Sequence, residues 1–199
     1  MTKRIGWIAV LAVAALGSSV FAQADLSAFP AGTTTMVYEL MAEDMSEPQT
    51  LELVVTARED GRYTVRMVTE STGTEDELGG FGFIFGATSV AYGGEHDVSY
   101  SSLQALIDQR DRLQEGQEYL LPGGAEYTNI IGATIAGVWC LEGTFIDPEE
   151  PTQTMTVAFG LSHPVFISPR VVAVEEVDGV TTEIFRLELI EYSFVEGEG

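Results

Sequence analysis

Apolar and polar side chains alternate through most of the second half of the chain, from Tyr127 to Val195. A period of two is typical of β-strands, because successive side chains of a strand point to opposite faces of its sheet. Short segments rich in proline, glycine and acidic residues separate the alternating runs and end the strands. This part of the sequence therefore predicts consecutive antiparallel strands that form most of the core.

The first two of these strands can be aligned by their apolar residues. Placing Leu141 opposite Val157 and Trp139 opposite Phe159 puts the large apolar side chains on one face. The stretch 147–151, with its two prolines, then forms the turn.

The next two strands flank residues 178–179, an Asp-Gly pair. Both of these residue types tolerate a positive φ, which a type I′ turn requires at its two central positions. A two-residue loop predicts Val172 opposite Phe185 and Val174 opposite Glu183.

The last strand changes its pattern after Leu189, where the apolar positions shift by one to Ile190, Tyr192 and Phe194. A shift by one residue in a regular strand indicates a β-bulge. The alternative is a last strand that is covered on both faces.

The first half of the chain predicts a strand at 33–41, followed by a hairpin. The apolar positions of the hairpin match only across a three-residue loop, 59–61, which pairs Val55 with Val65. This loop length requires Gly61 in the left-handed conformation.

One segment, 101–115, has helical spacing, with apolar residues at Leu103, Leu106, Ile107 and Leu113. With about nine or ten short strands, the pattern indicates an α+β protein that is mainly antiparallel β. We expect a curved sheet that forms a half-barrel or open barrel with one amphipathic helix.

Residues 79–94 contain six glycines, four aromatic residues and no charge, in a chain that is otherwise acidic. Three interpretations remain open for this segment. It forms a glycine-rich strand or hairpin of the core, a mobile apolar flap over a ligand cavity, or a hairpin that touches a membrane.

The N-terminus has the features of a secretory signal peptide at residues 1–22: Lys3 and Arg4, then an apolar run, then small residues. Cleavage is expected after Ala22 or Ala24, with an uncleaved N-terminal anchor as the alternative. The expected organisation is a leader at 23–32, a single β-rich domain at 33–195 and a disordered tail at 196–199. No later stretch is long and apolar enough to span a membrane, so the protein is expected to be exported, to a periplasm or beyond.

Loss of the signal peptide removes Lys3 and Arg4, so seven arginines face 31 acidic residues and the formal charge becomes −24. Such a surface repels nucleic acid and anionic lipid headgroups. Cys140 is the only cysteine, which excludes an internal disulfide. It alternates with Trp139 and Leu141, so we expect a buried, inert thiol.

Few residues combine into a recognisable catalytic or metal site. Ser162 and His163 are adjacent, but neighbours in an extended segment point apart, which argues against a catalytic pair. The Glu95-His96-Asp97 stretch with His163 supplies few ligands for zinc, and a surface loop is the expected alternative. We expect no enzymatic activity, no metal and no cofactor.

The order of these features resembles that of exported bacterial lipoprotein carriers of the LolA/LolB-like type and their uncharacterised relatives. A signal peptide, early hairpins, the Leu103–Leu113 helix followed by Gly116, and a closing strand meander carry the resemblance over residues 33–195. It implies a half-barrel whose concave apolar surface shelters an acyl chain. No functional residue of the carriers transfers to a position of this sequence.

These features predict an exported, non-enzymatic binding protein that holds an apolar small molecule or lipid. The alternative is a structural or interaction protein of the cell envelope with a packed core and a protein partner of unknown identity. The expected ligand-binding residues are Phe81, Phe83, Phe85, Tyr92, Leu106 and Trp139.

Overall fold

The structure is a computed structural model that describes residues 26–43, 45–70, 72, 106, 110–148 and 150–197. Short 3₁₀ turns lie at Leu26–Ala28, Arg110–Arg112 and Pro122–Gly124. The strands are β1 (Gly32–Ala42), β2 (Gln49–Ala57), β3 (Tyr63–Glu70), β4 (Tyr119–Leu120), β5 (Glu126–Ile135), β6 (Val138–Ile146), β7 (Gln153–Gly160), β8 (Arg170–Val177) and β9 (Val180–Glu196).

All nine strands belong to one sheet with the order β3-β2-β1-β9-β8-β7-β6-β5-β4, and each neighbouring pair is antiparallel. The sheet is open and curved, as expected for a half-barrel, so the predicted fold class is confirmed. Pairing of the first strand with the last joins the N-terminal strands to the C-terminal meander. None of the helices within the described residues is long and apolar enough to cross a membrane.

The hairpin of β2 and β3 has the predicted register. Val55 lies opposite Val65 and Leu53 lies opposite Met67. Gly61 has a φ of 76°, the left-handed conformation that the three-residue loop requires.

The predicted register of β6 and β7 is wrong by two residues. Leu141 lies opposite Phe159, and Gly143 lies opposite Val157. The ring of Tyr127 covers Gly143, where an added Cβ atom would lie 2.6 Å from the Tyr127 Cζ atom. The hydroxyl of Tyr127 also donates to the Val157 carbonyl over 2.8 Å, and this contact holds Val157 opposite Gly143. A shift of two residues leaves the predicted faces unchanged.

The hairpin of β8 and β9 is partly as predicted. Asp178 and Gly179 have φ values of 53° and 77°, as a type I′ turn requires, and Val174 lies opposite Glu183. Phe185, however, lies opposite Ala173 and not Val172.

The cause of this difference is a bulge at Ile184, between the two pairs. The Ile184 carbonyl accepts a hydrogen bond of 3.0 Å from the N–H of Glu43, which lies beyond the end of β1. A bulged residue is free of the ladder and can bond elsewhere. This distant contact has no signal in the local pattern of β8 and β9.

The predicted bulge in the last strand is confirmed. Tyr38 of β1 lies opposite Leu189, whereas Val37 lies opposite Glu191, which leaves Ile190 without a partner on β1. Beyond the bulge, Tyr192 lies opposite the fully buried Met36. The shift keeps apolar residues of the last strand on the buried face of β1.

The core lies on the face of the sheet that carries Tyr38, Leu187 and Val157. Strand β6 is buried on both faces, because Val138 and Cys140 are fully buried although they alternate with Leu141. The expectation of a buried thiol at Cys140 is confirmed.

Most of the predicted helix at 101–115 lies outside the described residues. Leu106 is helical and fully buried. Residues 110–112 form a 3₁₀ turn, closed by a hydrogen bond from the Leu113 N–H to the Arg110 carbonyl, so the helix prediction is wrong at its C-terminal end.

An ion cluster crosses four strands on the face opposite to Leu187. Arg170 of β8 donates a hydrogen bond of 2.7 Å to Glu142 of β6 on one side and another to Glu188 of β9 on the other side. We call these three residues the Arg170 cluster. Burial opposes the charge of the guanidinium, but the two carboxylates hold the pKa of Arg170 above its usual value.

Candidate functional site

On the described part of the chain, a half-open groove lies beside the connection between β7 and β8. Residues 161–169 of this connection form much of its wall, together with Ala28 and Phe29 from the N-terminal turn and Arg110 and Asp111. Its volume is about 350 Å³, which lies within the range of small-molecule sites in proteins. We call this feature the 161–169 groove.

Hydrogen bonds to the sheet hold the groove wall in place. The hydroxyl of Tyr38 donates to the Ile167 carbonyl over 2.9 Å, and the Phe166 N–H lies 3.3 Å from the sulfur of Met36. Burial raises the pKa of Tyr38 far above its usual value, so this hydroxyl stays protonated and remains a donor. The connection is therefore a supported wall rather than a free loop.

Apolar side chains contribute a large part of the groove lining. They come from the N-terminal turn, from the end of β7 and from the connection, and several pack against the core. The main ones are Phe29, Phe159, Leu161, Val165, Phe166 and Ile167. An apolar lining of this kind favours burial of hydrocarbon surface by about 25 cal/mol per Å².

Polar groups lie at the same groove, and two of them are bonded to each other. The Ser162 Oγ atom lies 2.7 Å from His163 Nδ1 and also accepts a hydrogen bond of 2.8 Å from the Trp139 N–H. The expectation that Ser162 and His163 point apart is therefore wrong. The serine turns back to cap the backbone of β6, and this brings its oxygen to the ring of the next residue.

Among the described residues, no carboxylate completes this pair to a catalytic triad. In a triad, a carboxylate orients the imidazole through its second nitrogen. Within the described residues, His163 has its ring contact with Tyr192, at 5.3 Å between centroids, and no ion pair to a carboxylate. The hydrogen bond from the Trp139 N–H to Ser162 Oγ links the groove wall to β6.

Trp139 lies next to the groove. Its carbonyl accepts the Leu161 N–H over 2.8 Å, so the two side chains share a face, and Leu161 lines the groove. Both side chains are close to half exposed. They form an apolar border on this side of the groove.

The sequence-predicted ligand residues fall into three groups. Phe81, Phe83, Phe85 and Tyr92 lie outside the described residues. Leu106 is fully buried in the core, and Trp139 lies half exposed beside the groove. The groove lining given above was not predicted. Its only sequence signal is the proline-bounded stretch 164–169, which is as apolar as a strand but does not alternate.

The metal-ligand candidates of the sequence lie largely outside the described residues. Glu95, His96 and Asp97 lie outside the described residues. Across those that are described, no three His, Cys, Asp or Glu side chains come together in a way that could hold a metal ion.

The sequence matches no known protein family and no curated protein. Among solved structures, a chain in the crystal structure of MucB in complex with MucA(peri) matches with a TM-score of 0.43 and 8% identity, over 84% of this chain and 52% of that one. A chain in the Pseudomonas aeruginosa MucA/MucB complex matches with a TM-score of 0.44 and 7% identity, over 84% and 53%. The present chain thus spans about half the length of these structures. A similarity at this level transfers neither a ligand nor a partner.

Proposed function

We propose that this chain is an exported, non-enzymatic binding protein that holds an apolar ligand in the 161–169 groove. The observation that carries this proposal is the groove itself, with a volume of about 350 Å³ and walls that include Phe29, Phe159 and Phe166. The signal-like pattern of residues 1–22 supports export. The half-barrel implied by the sequence resemblance agrees with a sheltered apolar surface.

The polar lining limits the kind of ligand. Arg110 and His163 both line the groove and can donate hydrogen bonds to an acceptor group at one end of a ligand. Arg110 contacts the carboxylate of Asp111 at 3.9 Å, and a guanidinium has donors enough to bind a second carboxylate or a similar anionic end of a ligand. A fatty acid combines such an end with an apolar chain.

The proposal is tested first on the mature protein purified from its own host, by native mass spectrometry and lipid extraction of the same sample. A stoichiometric apolar adduct is expected. A clean mass without adduct, combined with no binding of the apolar dye phenylnaphthylamine, would show that the groove is not a ligand site.

Two variants assign the binding to the groove. Phe166→Ser removes apolar surface from the wall but leaves the backbone bonds to Met36 and Tyr38 possible, so dye binding is expected to fall at least tenfold. The matched control is Val180→Ser, at an exposed apolar residue of the β8–β9 turn, which is expected to bind as the wild type does.

The nature of the ligand end is tested by comparing dodecanoic acid with dodecanol. The acid is expected to displace the dye at lower concentration, and Arg110→Gln is expected to abolish that preference. Equal displacement by both compounds would show that the groove binds the apolar chain and does not recognise the carboxylate.

A further inference from the structure

Strand β3 forms one edge of the sheet. It is the first strand in the order, and among the described residues it pairs with β2 alone. The unpaired backbone groups of such an edge are a template for another strand. At eight residues, β3 is long enough for an added strand to pair along it.

The register shows which backbone groups of β3 point outwards. The Arg58 N–H donates to the Arg62 carbonyl over 2.9 Å, so this pair is of the hydrogen-bonded kind. Hydrogen-bonded and non-hydrogen-bonded pairs alternate in an antiparallel ladder. The N–H and C=O groups of Tyr63, Val65 and Met67 therefore point away from β2, towards the free edge.

The side chains of the same three residues lie on the core face of the sheet, next to the outermost buried residues of β2. They lie opposite Ala57, Val55 and Leu53, which are buried. In contrast, Tyr63, Val65 and Met67 are 36%, 41% and 39% exposed. An added strand with apolar residues on this face would cover them and extend the core by one row.

The other face of the edge carries an arginine, Arg66, that resembles Arg170 but has one carboxylate partner within the described residues in place of two. Arg66 pairs with Glu52 of β2, and its side chain is 60% exposed. Arg170, on an interior strand, binds one carboxylate on each side. Among the described strands, Arg66 has a neighbour on one side only. An incoming strand can place the second carboxylate on the other side, where the guanidinium retains donors.

We propose that β3 binds an extended segment of a partner protein as an additional strand, and that this segment alternates apolar with acidic side chains. The apolar residues cover Tyr63, Val65 and Met67, and an acidic residue binds Arg66. A second copy of this chain fits poorly, because its β3 would bring another arginine, and not a carboxylate, to Arg66. This surface is independent of the 161–169 groove.

The test uses a synthetic peptide that alternates glutamate with valine, EVEVEVE, and a control peptide in which lysine replaces glutamate. The glutamate peptide is expected to bind at least tenfold more tightly, although the net charge of the protein favours the lysine peptide. In hydrogen-exchange NMR it is expected to slow exchange at the amides of Tyr63, Val65 and Met67. Equal binding of both peptides, or protection at other amides alone, would overturn the proposal.

Two variants distinguish the contribution of backbone hydrogen bonds to peptide binding from the contribution of the Arg66 charge. Val65→Pro removes an outward N–H without breaking the ladder to β2 and is expected to abolish binding. Arg66→Gln is expected to reduce binding of the glutamate peptide severalfold, whereas Arg186→Gln, at an exposed pair on β9, leaves it unchanged. If Val65→Pro does not fold, the backbone pairing is tested by the slowed hydrogen exchange of the β3 amides in the wild-type protein with bound peptide. Dimerisation through β3 without peptide would also overturn the proposal.

Discussion

Gly132 and Trp139 lie in direct contact across strands β5 and β6. A Cβ atom at residue 132 would lie 2.7 Å from the Cζ2 atom of the Trp139 indole, closer than carbon atoms approach without displacement. The glycine thus provides the space in which the indole lies over β5. Because Trp139 borders the 161–169 groove, this contact also fixes the apolar border of the candidate site.

Gly132→Ala is expected to displace the indole. The cost is roughly 1 kcal/mol of unfolding free energy, at the low end for overpacking, because the half-exposed ring can turn away. Protein produced from residue 23 onward has Trp139 as its only tryptophan, so its fluorescence emission reports the displacement directly.

A double-mutant cycle provides the control. In a Trp139→Ala background, Gly132→Ala is expected to change stability little, since the clashing atoms are gone. An equal cost in both backgrounds would mean that the strand, and not the indole, requires a glycine at residue 132.

Removal of the central arginine of the Arg170 cluster is expected to destabilise the protein. Arg170→Met leaves Glu142 and Glu188 close together and largely buried, at a cost of roughly 3 kcal/mol, measured by urea unfolding. Arg62→Met, at an exposed pair with Asp60, serves as the control and is expected to have little effect on stability.

The contribution of charge is checked by a triple variant. Replacing Glu142 and Glu188 by glutamine in the Arg170→Met background is expected to recover part of the lost stability. No recovery would assign the loss to packing of the arginine side chain instead.

Gln153 is buried at the start of β7, and neither polar atom of its side chain has a hydrogen-bond partner among the described residues. Gln153→Met keeps a similar shape and removes both atoms. The free energy of unfolding is therefore expected to rise by about 1–3 kcal/mol. Gln117→Met, at an exposed residue, is the control and is expected to have little effect.

A loss of stability in Gln153→Met would indicate that the glutamine is satisfied in solution. The adjoining void, lined by Phe145, Asp147 and Met155 among others, has a volume of about 10 Å³, which is enough for one water molecule.

The buried Cys140 thiol is expected to react slowly. Burial raises the pKa of Cys140 from 9.0 to about 11, which lowers its thiolate fraction at pH 8 about a hundredfold. Alkylation by iodoacetamide at pH 8 is expected to be slower by at least this factor in the native protein than in urea. Equal rates would show that the thiol is accessible.

The same shift predicts a loss of stability in alkaline solution. The pKa of Cys140 is higher in the folded state, so the unfolded state releases its proton first as the pH rises above 9.0. Burial also raises the pKa values of Tyr38 and Tyr127. Stability measured by urea unfolding is therefore expected to fall as the pH rises from 9.0 towards 11, and less steeply in Cys140→Ala.

Local pattern was enough to predict the β2–β3 hairpin, the Asp178-Gly179 turn and the bulge at Ile190. In each case the deciding factor is a residue and its immediate neighbours: the φ that glycine permits, or the face that an apolar residue must occupy. The predicted registers of β6–β7 and β8–β9 were wrong, because the observed pairings depend on contacts with Tyr127 and Glu43. Both of these residues lie outside the two hairpins.

The candidate groove could not be predicted in the same way. Its walls combine residues near 28, 110 and 165, and only the folded chain brings these segments together. The stretch 164–169 has no strand or helix period, so its apolar residues had no assigned face. The contacts of Tyr38 and Met36 with the connection place it over the sheet.

The strand content, the tight turns, the buried thiol and the acidic charge all follow from residue type and from neighbours along the chain. The exact pairing of two hairpins, the position of the 161–169 groove and the exposure of the β3 edge emerge only when the chain is folded. These features depend on contacts between residues distant in sequence, and a local pattern carries no information about which distant groups will meet.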